Sequence, residues 1–189
     1  MRLHASFTIT VRDRQGRQVA RLTRPSRSYV NAFINGLWAE SHNTTISTPN
    51  TTGSSFNLEG NTPFFDVNAA DNIDIYGLVL GSGTNAVAIG DYALQTQIPH
   101  GLGAGQLDHE AHSWVAPTTV GTTRSWKARR IFWNNSGASI TINECGIYFR
   151  SNVGGVYKYF CAVRDLVSPA VTVPNGGAAS LEYTLGITV

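Results

Sequence analysis

Over the last nine residues every second side chain is apolar: Leu181, Tyr183, Leu185, Ile187 and Val189. A period of two places them on one face of an extended strand, which a helix cannot do. The same period opens the chain, where Phe7, Ile9 and Val11 alternate with Thr8 and Thr10. Such runs end in turn formers: Arg14-Gln15-Gly16, Asn134-Asn135-Ser136-Gly137, Gly154-Gly155 and Pro174-Asn175-Gly176-Gly177. Gly and Asn there supply the positive φ of tight turns. About nine or ten strands at roughly 8–12-residue spacing result, the pattern of a sandwich or barrel. The expected fold class is all-β: an antiparallel β-sandwich, jelly-roll-like, with an N-terminal β-hairpin and one amphipathic helix.

The hairpin pairs residues 6–12 with 18–23, the return strand carrying Val19 and Leu22. Behind Ser26 as N-cap, residues 27–40 read as the helix, with Val30, Phe33, Ile34, Leu37 and Trp38 on its core face. Residues 41–72 are polar, with short strands at Thr44–Ser47 and Ser54–Leu58, and read as a loop or an arm exchanged between subunits. Ile73–Leu80 is a strand, Asp91–Ile98 a short helix or bridging turn, and Arg124–Trp133 a strand. In Ser139–Arg150 the apolar phase changes between Ile140, Ile142 and Ile147, Phe149, which predicts a bulge beside Gly146. Val156–Arg164 and Ala170–Val173 follow as separate strands. Residues 1–40 therefore form an Arg-rich hairpin plus helix, packed on the same domain or a neighbour, and 41–189 the sandwich.

Only 14% of the residues are charged, against about 25% in ordinary domains, and the charges are segregated. Residues 1–27 hold seven arginines against Asp13 alone. Residues 28–123 contain no Lys or Arg and eight carboxylates, from Glu40 to Glu110. Arg124, Lys127, Arg129 and Arg130 then restore positive charge. A basic arm can neutralise phosphates, dock on an acidic protein surface or stand solvated. The arginines are spaced along a hairpin and an acidic counterpart lies in the same sequence, so protein docking is preferred over nucleic acid. Arg12, Arg14, Arg17, Arg21, Arg24 and Arg27 are the candidate subunit interface.

Little in the sequence points to chemistry. Cys145 and Cys161 lie in apolar strands and read as small buried hydrophobes; a disulfide is the alternative, disfavoured in a reducing compartment. Gly81-Ser82-Gly83-Thr84-Asn85-Ala86 matches a dinucleotide fingerprint but lacks its long helix. Asp108-His109-Glu110-Ala111-His112 offers metal ligands, yet a loop-like run does not put them on one side, and polar surface residues are the expectation. Trp38, Trp114, Trp126 and Trp133 read as core, with a sugar platform the alternative; Trp126 and Trp133, seven positions apart on one strand, fall on opposite faces, which leaves room for one of them at the surface. No catalytic residue, cofactor or metal is assigned. No apolar run approaches the roughly 18 residues of a membrane span, and the opening residues lack a secretory apolar stretch. Synthesis in a cytoplasm is expected.

Asn135-Ser136-Gly137-Ala138-Ser139-Ile140-Thr141-Ile142-Asn143-Glu144-Cys145-Gly146-Ile147-Tyr148 carries an I-x-E-x-G-I-Y strand, and a Gly turn at 175–177 leads into Leu181-Glu182-Tyr183-Thr184-Leu185. Over residues 124–189 this resembles structural proteins of tailed bacteriophages, including tail-fibre and related virion proteins. The resemblance implies a β-sandwich in a virion that assembles with copies of itself and with other virion proteins, as capsid decoration, neck or tail component. It implies no catalytic residues. The alternative reading is a carbohydrate- or receptor-binding β-sandwich module.

Overall fold

The computed structural model describes residues 2–60 and 65–189. Its elements are β1 (Arg2–Arg12), β2 (Gln18–Ser26), α1 (Asn31–His42), β3 (Thr45–Pro49), β4 (Ser55–Glu59), β5 (Gly77–Gly81), β6 (Asp108–His109), β7 (Ser113–Val120), β8 (Thr123–Trp133), β9 (Ile140–Val153), β10 (Val156–Val173) and β11 (Ala178–Thr188). One antiparallel sheet runs β2-β1-β11-β8, with β6 and β7 sharing the far edge of β8. A second runs β10-β9-β5, and β3 and β4 form a separate hairpin. The chain is an all-β sandwich. Strand β1 lies between β2 and β11, so the N-terminal hairpin is part of the main sheet.

Alternation builds the core. Phe7, Ile9, Val11, Leu181, Tyr183, Ala128 and Phe132 face Leu78, Leu80, Ile142, Ile147, Phe149, Phe160 and Val173 in one buried cluster. Each fully buried Leu, Ile or Phe contributes about 1.5–3 kcal/mol. The smaller sheet is covered on its other face too: Val79, Tyr148 and Cys161 pack against Val30, Ala69, Tyr76 and Leu94. Both cysteines are free and buried. Cys145 Sγ lies 3.3 Å from the Tyr183 hydroxyl, which donates to Asp165 at 2.9 Å. Burial pushes both thiols well up, so neither is a ready nucleophile.

The I-x-E-x-G-I-Y strand is a clamp for the loop after β5. Glu144, Gly146 and Tyr148 are spaced by two on β9. The buried Glu144 carboxylate accepts from the amides of Gly83, Gln95 and Thr96 and from Arg164 Nε at 2.8 Å. Arg164 reaches on to Asp91 at 2.7 Å and to the carbonyls of Ala86 and Asn85. The Tyr148 hydroxyl accepts from the Leu94 amide at 2.6 Å. A Cβ at Gly83 would sit 2.5 Å from Glu144 Oε1, and one at Gly146 2.5 Å from the Val163 carbonyl. The Gly-Ser-Gly run is therefore a close approach to a carboxylate, with no dinucleotide helix behind it.

Several elements differ from expectation. Strand β2 runs through Ser26, so α1 starts at Asn31 with Val30 as a cap that makes no side-chain bond. The helix buries Ala32, Phe33, Gly36 and Ala39 and exposes Ile34, Leu37 and Trp38. Its small residues set the close-packed face, because backbone can approach backbone only there. Val19 is exposed and Leu22 buried. Segment 41–72 holds the β3–β4 hairpin, packed on α1 and β9 of its own chain; residues 61–64 lie outside the described residues. Asp91–Ile98 is irregular, β5 is shorter than Ile73–Leu80, and β10 is one continuous strand. The phase change in β9 is absorbed on β10, whose register shifts between Cys161 and Val163 and between Leu166 and Val171. No helix among the described residues is long and apolar enough to cross a membrane.

Candidate binding and assembly surface

The six arginines of the candidate interface are exposed and fall into three groups. Arg12 and Arg21 flank a groove on the outward face of the main sheet. Arg14 and Arg17 sit at the β1–β2 turn, where Arg17 pairs with Asp13 at 2.8 Å and the stem of Arg14 lies against Gly176. Arg24 is opposite the inward Phe7 and reaches the Ser168 carbonyl, with Arg27 just beyond the strand. None meets a carboxylate of segment 40–110 among the described residues. Most of those carboxylates are engaged elsewhere: Asp66 with Arg150, Asp91 with Arg164, Asp71 with the Ala111 amide, Asp74 with the His100 amide and Glu110 with the Trp133 indole.

Register brings the second basic segment onto the same outward face. Arg21 is opposite Thr10, which is opposite Ser180, which is opposite Ile131. Thr8, Glu182 and Arg129 form the next row, and Arg12, Ala178 and Trp133 the one on the other side. On the central strands Thr8, Thr10, Ala178 and Ser180 are short, while Arg21, Arg129 and Trp133 on the flanking strands and Arg12 at one end of β1 are long, which leaves a groove of about 290 Å³. Arg21 has no hydrogen bond or ion pair among the described residues. Arg12 donates to the Gly16 carbonyl and Arg129 to Ser180 Oγ. Glu182 is taken by Lys127 at 2.9 Å. Arg129 and Lys127 could not be assigned to this face from the sequence, because strand order puts β8 next to β11 rather than next to the hairpin.

Trp38 and Trp114, expected in the core, are each 43% exposed, and of the pair on opposite faces of β8 it is Trp133 that faces outward, at 40%. Trp133 is held by its indole N–H donating to Glu110 at 2.5 Å. Trp126 is partly buried against Trp114, ring centroids 5.7 Å apart.

The histidine run is structural and internal rather than loop surface. His112 Nε2 accepts from the Leu78 amide at 2.8 Å, and its Nδ1 lies 3.1 Å from the Ala69 carbonyl. That geometry suits a neutral ring with its proton on Nδ1. His109 is 1% exposed, edge-on to Phe132 and to His100. No cluster among the described residues could hold a metal ion. Burial, then the Arg130 guanidinium, lowers His109 to about 3; burial is also the leading cause that lowers His112 to about 4.

A histidine whose folded value lies below its unfolded 6.5 stabilises the fold above pH 6.5 and loses that contribution as pH falls toward the folded value. Each histidine should thus remove about 2 kcal/mol between pH 7 and pH 5. Urea midpoints at the two pH values should show a marked fall, and His109→Leu should remove about half of it. An unchanged midpoint at pH 5 would refute buried neutral histidines.

No family model, curated protein or solved structure matches this chain.

Proposed function

We propose that this chain is a structural protein of a tailed-bacteriophage-type virion that assembles through repeated contacts between its copies and with other virion proteins. The observation that carries this reading is an uncovered apolar end of the main sheet. Beyond the reach of the smaller sheet, Leu3 is 55% exposed, Ile187 40% and Val120 78%. Leu3 and Ile187 are directly opposite each other, and with Pro117, Trp126 and Leu185 they line a hollow of about 290 Å³. All eight residues of β7 beside it are exposed, on a strand that among the described residues pairs with β8 alone. A monomer rarely leaves such a contiguous patch and strand edge in water. Pro117 and a register shift between Val115 and Thr118 break the edge, which favours side-chain packing over simple strand addition. The arginines of the β1–β2 turn add charge that a partner surface can meet.

Light scattering at about 50 mM and about 500 mM salt tests the reading across a strong change in screening. A defined oligomer is expected. The paired change Leu3→Glu and Ile187→Glu should reduce it to monomer while leaving the circular dichroism unchanged. A wild-type monomer at both salts and at high concentration would remove self-assembly.

A second reading, a carbohydrate-binding module, is favoured by the fixed, half-exposed Trp133 beside the basic groove. An indole that presents one apolar face at a polar rim suits the apolar side of a sugar ring.

A further inference from the structure

We propose that the outward groove of the main sheet binds an acidic sugar chain, one bearing carboxylate or sulfate groups. The inference rests on the carbohydrate-binding reading and names its ligand class and its contacts.

Charge comes first. Arg12, Arg21, Arg129 and Lys127 face the groove or its rim, with Glu182 the one carboxylate lining it among the described residues. Lys127 occupies that carboxylate, so among the described residues three guanidinium groups are left without an anionic partner. Arginine's planar fork matches carboxylate and sulfate oxygens and forms its strongest hydrogen bonds with them. The floor adds the hydroxyls of Thr8, Thr10 and Ser180, which both donate and accept, as sugar hydroxyls require. Trp133 closes one end, directly across from Ala178 and in the same row as Arg12. Its N–H is used by Glu110, so its orientation is set before a ligand arrives and little entropy is lost on binding.

Size and aromatic count decide among anionic ligands. A groove of about 290 Å³ lies just below the usual ligand sites, roughly 300–1,000 Å³, and admits one or two sugar rings of a chain rather than a folded surface. Single-stranded nucleic acid is held by aromatics that stack successive bases, and among the described residues this groove offers Trp133 alone. The arginines lie on both walls, β2 and β1 on one side and β8 on the other, and can take charges from successive rings.

The test is titration calorimetry of the full chain with a galacturonic acid tetramer, a heparin tetrasaccharide and a neutral galactose tetramer, plus a thymidine oligonucleotide and an aspartate peptide. Saturable binding of an acidic tetramer is expected, weaker at high salt. Arg21→Ala with Arg129→Ala should weaken it at least about tenfold, and Trp133→Ala about fivefold or more. Ser180→Leu, which fills the floor without removing charge, should also weaken it. Matching thermal midpoints show that each variant folds. Binding of the neutral tetramer alone, indifferent to the arginines, would overturn the acidic ligand and keep the carbohydrate module. Binding of no sugar would overturn both. Oligonucleotide or peptide binding as tight as the sugars, unchanged by Trp133→Ala, would reduce the groove to a general polyanion surface and overturn the proposal.

Discussion

Glu144→Ala is expected to destabilise the protein by about 3–5 kcal/mol, the range for breaking a buried, hydrogen-bonded ion pair. The carboxylate is fully buried and accepts from three amides and one guanidinium. Its removal orphans the amides of Gly83, Gln95 and Thr96, each worth about 1–3 kcal/mol when left unpaired in the interior. It also leaves Arg164 with Asp91 as its one carboxylate. Domains of this kind are stable by about 5–15 kcal/mol, so the variant should be marginal at room temperature. Urea denaturation gives the number. Arg164→Met alone leaves Glu144 with its three amides and should cost less than Glu144→Ala. The double variant should cost less than the sum, because the two residues form one network. A loss below about 1 kcal/mol for Glu144→Ala would mean that the clamp is not holding the loop.

Arg130→Met should rival it. Arg130 points into the core from β8 and donates to the carbonyls of Glu110, Leu78, Ala70 and Ile73. Those acceptors belong to the two loops beside the histidines and to β5, so one side chain ties both loops to both sheets. Burial lowers its pKa to about 10, and it stays charged at neutral pH. Methionine fills much of the volume but leaves the carbonyls bare, a loss of about 3–5 kcal/mol. Lysine keeps the charge and three donors and should recover part of it. Loss of the cation should also ease protonation of His109 and His112, since Arg130 opposes it in both. Folded-state titration of the two rings, followed by NMR, should therefore move to higher pH in Arg130→Met than in the wild type. Unchanged ring titration would show that burial alone sets those histidines.

Local pattern carried most of the strands. Alternation at Phe7, Ile9 and Val11 and at Leu181, Tyr183 and Leu185 marks buried faces in sequence and in structure alike, because the strand period is fixed by backbone geometry. Turns at Gly16, Gly154 and Gly176 were legible because their φ values are positive and glycine adopts them freely. The helix was legible as a helix but not in its orientation. Its apolar stripe includes Phe33, Ile34, Leu37 and Trp38, and the packing face was chosen by Ala32, Gly36 and Ala39. Hydropathy ranks side chains by affinity for oil, whereas close packing also rewards small ones.

The candidate surfaces depended on pairing between distant strands. Charge counting found the arginines of the hairpin, but Arg129 and Trp133 join Arg12 and Arg21 only because β11 lies between β1 and β8. In the same way Glu144 looked like one acid among twelve until the fold brought Gly83, Gln95, Thr96 and Arg164 around it. The sequence by itself determined most of the strands, most of their turns and the buried faces of the regularly alternating ones, since these follow from rules spanning a few residues. Only the tertiary structure decided which strands are neighbours, which charges are buried and which apolar faces stay uncovered. Those outcomes depend on contacts between residues dozens of positions apart, and no local period records them.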